Sequence, residues 1–257
     1  MNNPPGFFHL GSLFYNSHVT KPADLLAYVF DAQPHLLSPD LLSWMDSSPR
    51  FTLFVETYRD KIRKKLRGLR DDESALDLRR ELETAFRLLA DRRLGVAYEP
   101  YASSTPIKTS GYLRKRRGPD FAVTYRAHTV FNVEVARIRS GIEPAHAGER
   151  ILRILLDKLE QMQPAMPNLL VIHTPAEAAG AIDLDRWMQE LKIKVEGKDP
   201  AFYAFSRYAG PPAFYRDFLR LSGILLWAPE SQVWLNKQAR PALDERILRL
   251  VSSLLSS

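Results

Sequence analysis

The 257-residue chain contains no cysteine, which excludes disulfide frameworks, thiolate metal sites and cysteine nucleophiles. Its six histidines lie far apart in sequence, so a zinc site has no obvious ligand cluster. No apolar run approaches the roughly 18 to 20 residues that a membrane-crossing helix requires. The opening MNNPPGFFHL has neither a basic leader nor a long apolar stretch behind it, and a cytoplasmic protein without a membrane partner is expected. Also missing are the GxxxxGK(S/T) phosphate loop, HExxH, the GxSxG elbow and GxGxxG. Internal repeats and low-complexity tracts are absent as well.

What remains is an ordinary globular composition, with 45% hydrophobic and 26% charged residues. A chain of this length can bury roughly three quarters of its unfolded surface and needs no staples. Lys and Arg number 36 against 30 Asp and Glu, a formal charge of +6. That balance favours polyanionic partners.

The first 20 residues lack helical period and read as an arm. Helical signals then follow from Pro22 to about Ala32, from a capping Ser38 before Pro39, and from about Phe51 to Leu66, where KIRKKLRG supplies basic residues and a stop. From about Asp72 to Arg92, the residues Ala75, Leu78, Leu82, Ala85 and Leu89 share one helical face. After Gly95 the pattern changes to VAYEPY, DFAVTYR and TVFNVEVARIR, which are β-branched and aromatic. A long amphipathic helix at about 147–162, a buried strand NLLVIHT, a helix at about 184–193, strands GILLWA and VWL, and a last helix from about Ala242 complete the series. This is an α/β signature. A mixed central sheet flanked by helices is expected at 71–257, with a helical extension at 1–70.

The chemistry concentrates on the hairpin GPDFAVTYRAHTVFNVEVARIR. Strand alternation places Asp120, Ala122 and Thr124 on one face, and Asn132, Glu134 and Ala136 on the matching face of the second strand. A three-residue loop, Arg126 to His128, sets Asp120 opposite Glu134; a two-residue loop shifts the register and needs a bulge. Two carboxylates held together call for a cation, and hard oxygen ligands select Mg²⁺ or Mn²⁺.

Pro119-Asp120, with Glu134 fourteen residues beyond the aspartate on an apolar strand and an amphipathic helix after it, resembles the PD-(D/E)XK nuclease superfamily. The resemblance covers about residues 72–174 and implies a restriction-endonuclease-like core. The chain departs from that pattern at Glu134-Val135-Ala136, where alanine stands in place of the lysine. Some members of the superfamily carry that lysine on the following helix, and Lys158 is similarly placed, bordering the stripe of Ile151, Leu155, Leu159 and Met162. The resemblance further implies an acidic ligand from the preceding helix; Glu81 is the candidate, with Glu83 and Glu99 as competitors. Gln161, one turn beyond Lys158, is placed to contact a phosphate. Arg137 should point to the opposite face and form a structural salt bridge.

Just before the motif, LRKRRG gathers Arg114, Lys115, Arg116 and Arg117, a loop suited to neutralising backbone phosphates. Tyr101 and Tyr112 stand close by for stacking on bases. The expected function is Mg²⁺- or Mn²⁺-dependent hydrolysis of nucleic acid, with DNA preferred by resemblance. Asp120 and Glu134 would act as metal ligands, and Lys158 would supply the positive charge. Two alternatives stay open. One is a nuclease-like domain without turnover that serves as a binding or assembly module. The other is a mixed α/β interaction protein in which Asp120 and Glu134 are incidental strand acids, a reading that carboxyl groups more than about 8 Å apart on opposite sheet faces would select.

Overall fold

The computed structural model describes residues 20–100, 118–141, 143 and 146–256. The chain divides into two compact units between Lys64 and Lys65. The first holds α1 (Pro22–Val29), α2 (Ser38–Ser47) and most of α3 (Pro49–Arg67). Leu25, Val29, Leu41, Met45, Phe51 and Val55 are among its buried side chains, and Arg63 pairs with Asp31. Ser38 is not the cap expected of it. Leu37 already has helical φ and ψ and occupies the cap position, so Ser38 falls inside the first turn and its hydroxyl caps nothing.

The second unit begins with α4 (Asp72–Leu89). Asp71 caps it, accepting from Ser74 N at 2.7 Å, and Asp72 and Glu73 in the first turn suit the positive end of the helix dipole. There follow β1 (Leu94–Tyr98), β2 (Phe121–Tyr125), β3 (Thr129–Arg137), α5 (Ala147–Leu159) and β4 (Asn168–His173). After these come α6 (Ala176–Ala179), α7 (Leu184–Glu196), α8 (Pro200–Phe205), α9 (Pro211–Phe218), β5 (Leu221–Trp227), β6 (Gln232–Leu235) and α10 (Glu245–Leu255). The expected mixed sheet with helices on its flanks is what forms. Its six strands lie in sequence order, β1 to β6. β1, β2 and β3 are antiparallel, β3, β4 and β5 parallel, and β6 returns antiparallel to β5.

Side-chain alternation sorts the core into two layers. Leu170, Ile172, Ile224 and Leu226 pack with Ile151, Leu155 and Leu159 of α5 and with Met188, Leu191, Phe214 and Phe218 of α7 and α9. The opposite face carries α4 and α10: Thr84 of α4 meets His173 at the end of β4, and a Cβ on Gly223 would approach Leu248 of α10 at 3.5 Å. Among the described residues no helix is long and apolar enough to cross a membrane.

The hairpin loop is the three-residue one. Tyr125 pairs with Thr129 and Phe121 with Val133, and His128 N donates to Tyr125 O at 3.1 Å. Continued by one residue, this register sets Asp120 opposite Glu134. Arg126 and Ala127 both take left-handed conformations, φ 49° and 60°, which lets so short a loop follow the strand twist.

Candidate active site

Asp120 stands one residue before β2, and its Oδ2 accepts from Val135 N of β3 at 2.8 Å. That bond ties the carboxylate to the strand carrying Glu134. The face of β3 holding Asn132 and Glu134 is covered by helix, so both polar side chains are buried. The Glu134 side chain is only 1% exposed, and water does not solvate it. Lys158, in the last turn of α5, has its backbone fixed by the buried neighbours Ile154, Leu155 and Leu159. Its Nζ donates to Glu134 Oε2 at 2.7 Å and to Asp120 Oδ2 at 3.5 Å. The two acids therefore share one ammonium, and the arrangement in which they lie on opposite sheet faces does not occur.

Burial is the main force on Glu134 and pushes its carboxyl up to about 7; the Lys158 charge pulls the other way and the Asp120 charge adds to the rise. Burial also opposes the charge on Lys158, but Asp120 and Glu134 outweigh it and hold the ammonium above its ordinary range. The second carboxylate oxygen of Glu134, Oε1, is buried and has no hydrogen-bond partner among the described residues. A buried acceptor left unmade costs roughly 1–3 kcal/mol. An open carboxylate oxygen beside a second carboxylate suits a hard cation.

A second charged group adjoins the first. Lys65, near the end of α3, donates to Glu81 Oε2 at 2.6 Å and pairs with Glu99 Oε1 at 2.9 Å. Its Nζ lies 4.8 Å from the centroid of the Tyr98 ring. The Tyr98 hydroxyl donates to the same Glu81 oxygen at 3.0 Å. Glu81 is raised by burial first and by the Asp120 charge second, against the lowering influence of Lys65. Asp120 thus couples electrostatically to both groups. Glu99 follows β1 directly in a left-handed conformation, φ 42°. Lys65 and Tyr98 had no local sequence signal: KIRKKLR reads as a solvated helix end, and Tyr98 as one aromatic of a strand.

The remaining candidates divide plainly. Glu81 is engaged by Lys65 and Tyr98 and does not complete a three-carboxylate cage. Among the described residues no group of three or more His, Asp or Glu is placed to hold a metal. Asp120 and Glu134 alone still fit Mg²⁺ or Mn²⁺, because Mg²⁺ keeps several waters and is commonly held by one or two carboxylates plus substrate oxygens. Glu83 turns away to Arg80 at 2.6 Å and Arg79 at 3.6 Å. Gln161 donates to Asp157 O at 3.3 Å, within its own turn. Arg137 binds Glu73 at 2.5 Å and Asp77 at 3.0 Å, the salt bridge expected of it. Arg114, Lys115, Arg116, Arg117, Tyr101 and Tyr112 lie outside the described residues. No protein-family model, no curated protein and no solved structure matches the chain.

Proposed function

We propose that the chain is a divalent-metal-dependent phosphodiesterase acting on nucleic acid, DNA in preference to RNA, with a PD-(D/E)XK-type site on a restriction-endonuclease-like core. The observation that carries this reading is the reach of Lys158 from α5 to both Asp120 and Glu134, beside a strand where Ala136 stands in place of the superfamily's lysine. Four carboxylates, Glu81, Glu99, Asp120 and Glu134, face two ammonium groups, Lys65 and Lys158. With all of them ionised, the excess is two negative charges, matching one divalent cation.

A bound Mg²⁺ or Mn²⁺ supplies Lewis-acid polarisation of the phosphate and a water of lowered pKa. Asp120 and Glu134 would hold it, Glu134 through the oxygen that Lys158 leaves open. Asp120 is held in place by Val135 N, so its orientation needs no rearrangement when substrate enters. Lys158, kept cationic by its surroundings, donates hydrogen bonds to the non-bridging oxygens as their charge grows. Arg114 to Arg117 would neutralise flanking backbone phosphates independently of sequence.

The test is nicking of supercoiled plasmid in Mg²⁺ or Mn²⁺. Parent protein should cut, and Asp120→Asn and Lys158→Ala should not, with folding intact. A second reading, a nuclease-like module that binds without turnover, draws support from the direct Lys158–Glu134 bond and the absence of a three-acid cluster among the described residues. Binding of DNA by the parent without metal-dependent nicking would select that reading.

A further inference from the structure

The carboxyl ends of the three parallel strands open into a cleft of about 380 Å³ on the α4 face of the sheet, and neither Asp120 nor Glu134 lines it. β3 ends there at Arg137, β4 at His173 and β5 at Trp227, in mutual register. The crevice beyond such strand ends is where open α/β sheets take ligands. Arg80, Arg87, Arg137, His173, Thr174 and Trp227 line it.

Its electrostatics are lopsided. Arg80 is fixed by Glu83, Arg137 by Glu73 and Asp77, and Arg139 leans on Glu73. With Arg87 added, guanidinium groups outnumber carboxylates. Arg87 is the open one: its Nε is buried and has no hydrogen-bond partner among the described residues. His173 responds to the same field. Burial first, then Arg80, Arg137 and Arg79, hold its imidazole well below the usual range. The Thr84 hydroxyl already donates to Arg80 O at 2.7 Å, so its contact with His173 Nε2 at 3.3 Å makes that nitrogen the donor. The ring of Trp227, with its centroid 3.9 Å from that of His173, forms a rigid aromatic wall.

We propose that this cleft is a second binding site, taking a phosphate monoester on the open guanidinium of Arg87, either as a mononucleotide or as the phosphorylated end of a nucleic-acid strand. A forked guanidinium matches phosphate oxygens in pairs. The volume exceeds what a bare phosphate fills and lies in the range of small-ligand clefts, leaving room for a nucleoside against Trp227. The site does not depend on the nuclease reading, since no metal and neither Asp120 nor Glu134 takes part.

Titration calorimetry of the full chain in EDTA tests it, with AMP, inorganic phosphate and adenosine as probes. AMP and phosphate should bind and adenosine should not. Arg87→Ala, with folding checked by circular dichroism, should weaken AMP by about tenfold or more, and Asp120→Asn should leave it unchanged. If Arg87→Ala does not fold, Arg87→Lys, which keeps the charge and loses the fork, should still weaken AMP severalfold. Competition by a 5′-phosphorylated oligonucleotide but not its 5′-hydroxyl counterpart identifies the strand end as the source; competition by neither identifies the mononucleotide. AMP binding no tighter than adenosine, or binding unchanged in a folded Arg87 variant, overturns the proposal.

Discussion

The Lys158 ammonium lies 2.7 Å from Glu134 Oε2, although 24 residues and a change from strand to helix separate the two. Side-chain truncation at Lys158 separates charge from packing. Lys158→Met keeps most of the buried stem and removes the donor, whereas Lys158→Ala removes both. In either variant Glu134 loses its counter-charge and takes up a proton at neutral pH, which limits the destabilisation to about 1–3 kcal/mol. Activity should fall on the order of a hundred- to a thousandfold in both, the scale of losing one donor to developing charge. Thermal melts and nicking rates measured together check this; a Lys158→Met variant with parental activity would remove Lys158 from the mechanism.

Glu134 gives the pH dependence. Its carboxyl is raised in the folded state to about 7, against about 4.3 in an unfolded chain. The folded protein keeps a proton that the unfolded chain has released, so this group's contribution is full below the unfolded value and is lost as pH rises through about 7. The loss is on the order of 3 kcal/mol, and Glu134→Gln lacks it. Denaturant melts of parent and Glu134→Gln from pH 4 to 8 should diverge with that sign. Because a metal takes the ionised carboxylate, the rise in melting temperature caused by Mn²⁺ should be larger at pH 8 than at pH 6. A Mn²⁺ shift independent of pH would count against Glu134 as a ligand.

The hairpin was readable because alternation acts locally, but its register stayed open between a two- and a three-residue loop until the pairing of Tyr125 with Thr129 chose the three-residue one, which sets Asp120 and Glu134 face to face. The amphipathic stripe of α5 likewise pointed Lys158 toward the sheet. Lys65 was not readable. Its partner Glu81 lies 16 residues away on the next helix, and nothing in KIRKKLR distinguishes a lysine reaching into a site from its solvated neighbours. The short helices α8 and α9 lie in a stretch, between the helix at about 184–193 and the strand GILLWA, for which no element was expected. Pro200 opens α8 and Pro211 opens α9, a proline in the first turn being the signature that marked α1, and Asp199 adds a cap to α8 by accepting from Phe202 N at 2.9 Å.

Ala127 is exposed in the hairpin loop with φ 60°, a conformation that crowds a Cβ. Ala127→Gly removes the crowding and sacrifices no packing, at the expense of a more flexible unfolded chain. The net gain should be about 0.5–1 kcal/mol. Parental nicking activity should be retained, since the strand register is unchanged. Chemical denaturation decides the matter: a destabilised Ala127→Gly would mean that the loop relaxes out of the left-handed region.

Ala136 lies two residues beyond Glu134 on the same face of β3 and packs, partly buried, against the cluster that includes α5. A lysine there alone would be forced into filled space, costing about 1–3 kcal/mol, and would set a second ammonium against Lys158. In a Lys158→Ala background both objections lift, because the truncated helix residue vacates volume and charge together. The double variant Lys158→Ala/Ala136→Lys should therefore recover at least tenfold of the activity lost in Lys158→Ala, about 1.4 kcal/mol of transition-state stabilisation, while the single variant Ala136→Lys should melt below the parent. Recovery would mean that the ammonium acts by its position over the two carboxylates, whichever element delivers it. A double variant as inactive as Lys158→Ala, though folded and still shifted by Mn²⁺, would tie the function of Lys158 to the geometry of α5.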